Sequence, residues 1–552
     1  MATDKTPHCE LDQHQSPLFR LPRELRDEIY DFYTHEDDGY VFDSTAQKLP
    51  IELALSYKCK RVATEMTGMA FRTNDIKFRT MLSSPEITDQ PSNASLYEEL
   101  LRAHRQRLRH MLKWAYTTVS AKVMHTLKSL HPNSLAVQRI VERVQDEDDA
   151  DLGGGYLFKV WSLDDYNSDS ILVDLIKLMA TQSGFYHLTS KEYDLDLRRA
   201  TESDDDASDP DDDDDGDDND NDSDNDNDND DDNNDDNNDD NNDDNNDDND
   251  DDAFSDSNDS DSDDSSFDFD SYFNIKIPSY SRETQTDILQ WRPQLWSIPN
   301  RAELEAKSNF LPPWPEAIAR PVPEHEYIPN MYFSAAAVAI RFLEGLALKS
   351  RGEVRKIVIE EDHPSVASSI THAQGLIPLC QANPKIRKER RVDVWPTEFV
   401  YRSNFFSHHA KEIVTRIDTW INEVKILYQM GMPAGCFTLV LHGPCEQASQ
   451  QLSDAITRAA IWLEGTVELA RREQRRFYPF QGITEDFADV IKEMLRGEIP
   501  ARFDAEMNEV WDIEKIISEY VGDWPSKVSD VFRLQDFEEP EEGWHAACEA
   551  YK

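Results

Sequence analysis

Apolar residues return at every fourth position in the first patterned stretch of the chain, at Leu21, Leu25, Ile29 and Tyr33. Pro22 suits the first helical position, where a missing N–H would go unpaired anyway, and Glu24 suits the dipole of a first turn. The spacing predicts a short amphipathic helix with one apolar stripe, and with Arg23, Arg26 and Asp27 facing water. After a polar loop over 34–48, the three- and four-residue spacing of Leu55, Cys59, Val62, Ala63, Met66 and Ala70 predicts a second helical stretch over 50–70. Alternation then takes over, with Ile76 and Phe78 on one side of a strand over 74–80. A long helix is predicted over 96–130. Leu101, Leu108, Leu112, Ala115 and Val119 share one of its faces, and Arg102, Arg105, Arg109 and Lys113 form a basic stripe beside them, read first as a solvated face, with phosphate binding and a counter-charge for the acidic tract as alternatives. Helical patterns at 135–144 and 170–180 follow.

Past a segment rich in proline and tryptophan (Trp291, Trp296, Pro312, Pro313, Trp314, Pro315), helical and strand-like runs alternate. A helix over 333–348 leads to Ile357-Val358-Ile359, a helical stretch over 365–380 to a strand-like run at 392–395, and a long helix over 405–428 to Phe437-Thr438-Leu439-Val440-Leu441, the strongest strand signal in the chain. The tail reads as helix over 452–472, over 485–495 with Thr484 as N-cap and Gly497 just beyond the end, and over 503–521. Such alternation indicates α/β organisation, with a mainly parallel sheet or an open, solenoid-like stack.

Charge changes the picture in one place. The chain of 552 residues carries a net charge of −54, yet residues 201–270 alone hold 37 Asp and Glu202 with no Lys or Arg. The rest is left with −16, an ordinary acidic balance that argues against general nucleic-acid binding. Asp, Asn and Ser make up nearly all of 204–270, a composition that cannot bury enough apolar surface to offset its ordering entropy, so this tract is expected to be disordered. Residues 1–17 are polar and lack the apolar run of a signal peptide, and no stretch of about 18 uninterrupted apolar residues exists. The richest window, 333–348, is broken by Arg341 and Glu344. A cytoplasmic or nuclear location is expected. The six cysteines are scattered without a C-x-x-C pair, which points to neither a disulfide framework nor a zinc site.

The segment Leu18-Phe19-Arg20-Leu21-Pro22-Arg23-Glu24-Leu25-Arg26-Asp27-Glu28-Ile29-Tyr30 resembles the start of F-box and F-box-like domains. It is most similar to the Leu-Pro-x-Glu-Leu-Arg-x-x-Ile-Tyr opening of a large group of fungal proteins, mostly of unknown function. Cys59-Lys60-Arg61, Glu65 and the stretch Asn74 to Phe78 fit the same pattern, so the resemblance covers residues 18–80. The stretches Phe333-Ser334-Ala335-Ala336, His372-Ala373-Gln374-Gly375-Leu376-Ile377 and Arg391-Val392-Asp393-Val394-Trp395 also look like the C-terminal half of some of these proteins. The resemblance implies an α+β multidomain protein. Residues 1–17 are expected to be disordered, 18–80 to form a helical F-box-like module and 81–200 a helical extension, 201–270 to be a disordered acidic linker, and 271–552 to form an α/β domain with a helical tail. It also implies protein partners, among them a Skp1-like adaptor of a ubiquitin ligase, docked at Leu21, Pro22, Leu25 and Ile29. No cofactor, metal, membrane or specific nucleic-acid partner is expected.

Other chemistry-bearing patterns are weaker. Asp211-x-Asp213-x-Asp215-Gly216 with Asp222 has the spacing of a calcium loop, but the same spacing arises by chance in a run of Asp and has no flanking amphipathic helices. Lys385, Arg387, Lys388, Arg390 and Arg391 allow a nuclear address or a structural role ahead of a strand. His442-Gly443-Pro444-Cys445 brings a base and a nucleophile together at a strand end, and His408-His409 has no spaced ligand partner. Two alternatives stay open beside an interaction protein: an enzyme of unfamiliar type in the α/β part, and a binder of basic proteins acting through the acidic tract.

Overall fold

The computed structural model describes residues 16–82, 92–131, 137, 169–190, 193–194, 276–277, 281–311, 331–399, 409–474, 483–484, 486–506, 508–520 and 524. The acidic tract with its calcium-like spacing, His408, and the helical pattern at 135–144 apart from Val137 lie outside them. Eight strands occur among the described residues: β1 Tyr40–Val41, β2 Asp75–Arg79, β3 Tyr193–Asp194, β4 Lys276–Ile277, β5 Lys356–Glu361, β6 Arg387–Asp393, β7 Phe437–His442 and β8 Ala501–Phe503. β3 and β4 form an antiparallel pair within one compact unit, Glu192–Ser279, and the remainder of the chain forms the other.

In that larger unit six strands make one parallel sheet in the order β1-β2-β5-β6-β7-β8. Each strand therefore lies beside the one that precedes it in the sheet, and the sheet advances in a single direction. Right-handed crossovers that all advance the same way place their connections on one face. Burial follows this rule. Ile76, Phe78, Ile357, Ile359, Val392, Phe437, Leu439, Leu441 and Phe503 belong to one core with the helices Ala335–Gly345, Ile377–Ala382, His409–Gln429, Glu446–Arg472 and Phe487–Leu495. The opposite face carries a charged ladder in which Asp75 pairs with Lys356, Arg79 with Glu360 at 2.9 Å, and Arg391 with Glu389 at 2.9 Å. The mixed α/β class expected from the alternating pattern is what the chain adopts.

Several expectations are corrected. β2 lies inside the sheet beside β5, so boundaries at 80 and 271 do not separate an N-terminal module from an α/β domain. Likewise the helices Asn93–Ala115, Ala121–Leu130 and Asp169–Met179 share a second core with Ile288, Leu289 and Leu304, from beyond the acidic tract. The long helix over 96–130 is two helices, because Ser120 starts a new one by accepting the Val123 N–H. Its basic stripe is not a solvated face, since Arg105 is buried. The stretch 365–380 is 3₁₀-helical over Ser369–Leu376 before the α-helix Ile377–Ala382 begins. The tail over 503–521 starts with β8, and its helix is only Ile513–Glu519. Thr484 does not cap the helix Phe487–Leu495; its N–H and hydroxyl go to Asp418 at 2.8 and 3.0 Å.

The basic run 385–391 is mostly β6 itself, with Lys388 and Arg390 turned to the helix-covered face. Arg390 lies in register between Ile359 and Leu439 and is tolerated there because Glu361 waits on the adjacent strand. Its Nε and Nη2 donate to Glu361 Oε1 at 3.1 and 2.7 Å, Nη1 donates to the Ile370 carbonyl, and the guanidinium lies 4.7 Å from the Trp420 ring centroid. Glu361 also accepts the Ala335 and Ala336 N–H groups at 2.9 and 3.2 Å, an anion on the positive end of a helix. Ser334 caps that helix through the Ala337 N–H and meets His372 Nδ1 at 2.6 Å.

Candidate docking surface

The helix Arg23–Thr34 follows an extended Pro22, whose carbonyl accepts the Arg26 N–H at 3.2 Å. Its rotation is set by Glu65, on the short helix Lys60–Glu65 that Cys59 starts by accepting the Val62 N–H. Arg26 reaches Glu65 with two parallel bonds, Nε to Oε2 and Nη2 to Oε1, both at 2.9 Å, and its Nη1 donates to the Leu21 carbonyl at 2.6 Å. This bidentate geometry is the strong form of the ion pair. Tyr30 donates its hydroxyl to the same carboxylate at 2.9 Å, and Arg61 adds a bond at 3.0 Å. Burial alone would raise the Glu65 carboxyl, but the hydrogen bonds from Arg26, Arg61 and Tyr30 outweigh it and hold the group down at about 2. The Tyr30 phenol is pushed the other way, to about 12, by burial and by its bond to Glu65.

Thr34 completes the inward face, and Asn74 fastens the end of the helix by donating to the Thr34 carbonyl at 2.7 Å and accepting the Glu36 N–H at 2.8 Å. Arg26, Tyr30 and Thr34 are four residues apart, so one line along the helix is buried, and it is the polar one. The expectation that Arg26 faces water is therefore inverted. Turning that line inward turns the apolar stripe outward: Leu25 is 44% and Ile29 41% exposed. Leu21 is half-buried and Pro22 exposed, while Tyr33 lies at the side, its hydroxyl accepting the Leu55 N–H at 3.2 Å. Of the four residues singled out from the sequence, Leu25 and Ile29 form the outward stripe.

Phe32, which the sequence reading passed over, is the most exposed large apolar side chain among the described residues, at 87%. It stands seven positions after Leu25 and three after Ile29, so it extends the same stripe, and that spacing was legible in the sequence. Across Tyr33, the loop bearing Leu55 also presents Leu53 and Tyr57 to solvent.

The other candidates do not assemble. Among the described residues no hydrogen bond joins His442 to Cys445. His442 Nδ1 meets its neighbour's carbonyl, Gly443 O, at 2.9 Å, and burial lowers its pKa. Cys445 is exposed at the start of the helix Glu446–Arg472. Ser334 and His372 do meet, but both are sealed in the core. Among the described residues no group of three or more His, Cys, Asp or Glu could hold a metal ion, and no helix is long and apolar enough to cross a membrane. Comparison with protein-family models, with curated proteins and with solved structures finds no match.

Proposed function

We propose that this chain is a non-catalytic interaction protein of the cytoplasm or nucleus, an F-box-like substrate adaptor whose helix Arg23–Thr34 docks on a Skp1-type subunit of a ubiquitin ligase. The sheet-based part would then recruit the client. One observation carries the reading. The helix buries Arg26 and leaves Leu25, Ile29 and Phe32 in water, the i, i+4, i+7 spacing by which a helix lays anchors into an apolar groove. Desolvating an arginine is costly, and the same helix rotated about its axis would bury aliphatic surface instead. A fold that takes the costlier arrangement keeps the stripe available to a partner. The resemblance over residues 18–80 supplies the identity of that partner.

The test uses the full chain with Leu25→Asp, Ile29→Asp and Phe32→Asp, each measured by thermal melt and by titration with a purified Skp1-type adaptor. Exposed substitutions should leave stability within about 0.5 kcal/mol. Binding should weaken by at least about 30-fold, the loss of one interface hot spot. Absence of micromolar binding by the parent chain would end the adaptor reading. A melt lowered by several kcal/mol in the Leu25 variant would mean that the stripe is part of a core.

A further inference from the structure

Lys388 stands on the helix-covered face of β6, in register between Ile357 of β5 and Phe437 of β7, and is almost wholly buried. Among the described residues it has no carboxylate partner. Its Nζ meets the Sγ of Cys380, on the helix Ile377–Ala382, at 2.8 Å. Two other cysteine contacts among the described residues are ordinary hydrogen bonds: 3.5 Å from the Val62 N–H to Cys59 Sγ, and 3.4 Å from Cys436 Sγ to the Pro384 carbonyl. The Lys388–Cys380 contact is much closer. One oxygen atom bonded to both could span it.

We infer that Lys388 and Cys380 form an oxidative modification site, in which a single oxygen atom comes to link the lysine nitrogen to the cysteine sulfur. The step balances with dioxygen as oxidant. One amine N–H and the thiol S–H are lost, N–O and O–S bonds form, and the second oxygen atom leaves as water. Sulfur rises to the sulfenyl level and nitrogen to the hydroxylamine level, two electrons each, matching the four that dioxygen takes up. The surroundings suit the reaction. Burial lowers the pKa of Lys388 against the opposing pull of Cys380 and Cys436, which favours a nucleophilic free amine. Both side chains are held by regular backbone, so little ordering remains to be done. The link would also join β6 covalently to the helix Ile377–Ala382, so the oxidised sheet should be the more stable form.

The experiment takes the full chain, purified with and without thiol reductant and then exposed to air. Cleavage after glutamate releases residues 362–389 as one peptide carrying both Cys380 and Lys388. The expected result is a gain of about 14 Da on that peptide, one oxygen added and two hydrogens lost, reversed by reductant and absent from Cys380→Ser and Lys388→Met. Reversal by a thiol separates the link from lysine methylation. The unsubstituted chain suffices for the decision should either variant fail to fold. A melt several degrees higher for the oxidised chain is expected. Unmodified peptide after prolonged exposure would overturn the proposal. So would a loss of about 2 Da with Cys380 joined to Cys436, the alternative that a second nearby thiol allows.

Discussion

Replacing Glu361 with glutamine removes one charge and almost no volume, at a place where the surrounding chain has no means to adapt. The glutamine keeps a single carbonyl oxygen, whereas Glu361 accepts from Arg390 Nε and Nη2 and from the Ala335 and Ala336 N–H groups. Its amide nitrogen would face either the guanidinium or the helix N-terminus, both of them donors. Arg390 keeps its bonds to the Ile370 and Ser369 carbonyls and its stacking on Trp420, so the loss should fall near the lower end of the 3–5 kcal/mol typical of a broken buried ion pair. About 3 kcal/mol is a large part of the 5–15 kcal/mol that holds an ordinary protein folded. Urea unfolding of E361Q, R390M and the double variant E361Q/R390M gives the coupling directly. Each single substitution should cost about 3 kcal/mol, and the double variant at least about 2 kcal/mol less than their sum, since neither charge is then left without the other. Singles that simply add, or an E361Q within 0.5 kcal/mol of the parent, would refute the pair as a determinant of the sheet.

Burial pushes the Asp418 carboxyl up from 3.8 to about 6, so folding disfavours its charged form, and its contribution is best below 3.8 and worsens as pH rises through 6. The stability of the parent relative to D418N, which cannot ionise, should therefore fall between pH 4 and pH 7; a difference in urea midpoint that stays constant across that range would count against this. Glu65 behaves in the opposite sense. Held at about 2 against an ordinary 4.5, it stabilises the fold fully above pH 4.5 and loses that contribution as pH falls toward 2. E65Q should unfold more easily at neutral pH and lack this acid-dependent step, which urea midpoints across pH 2–5 would show. A Cβ at Gly465 would meet Trp524 Cζ2 at 2.1 Å. G465A should therefore destabilise, although alanine is the better helix former by about 1 kcal/mol, and a net gain in a melt would show that the contact does not matter.

Some of this architecture was legible because local pattern and global environment agree. The run Phe437 to Leu441 is a central strand buried by the helices, and the helix Ala335–Gly345 sits where its apolar run placed it. β6 was hidden because Arg-Lys-Glu-Arg-Arg shows no apolar alternation, and the groups that make Lys388 and Arg390 acceptable inside, Cys380 and Glu361, come from other elements. The rotation of the helix Arg23–Thr34 was hidden for the same reason. Periodicity identifies the two faces of a helix, but which one turns inward depends on Glu65, 39 residues beyond Arg26. Three-residue β8 is too short to show any period within a stretch rich in helix formers.

The place of β2 beside β5 has a consequence for how the chain comes into being. Every other neighbouring pair in the parallel sheet is joined by a modest connection, whereas partners such as Arg79 and Glu360 are 281 residues apart. During synthesis the first 80 residues are made long before the strand they must join, so β2 waits with one edge unpaired until β5 leaves the ribosome. The wait costs time more than stability, because the entropy of closing a loop grows only with the logarithm of its length, about 0.6 kcal/mol for each doubling. Repeats of Asp and Asn between those strands can thus be gained or lost over generations with little thermodynamic effect on the sheet. The burden falls instead on the nascent chain, which must remain soluble while one edge of β2 has nothing to pair with.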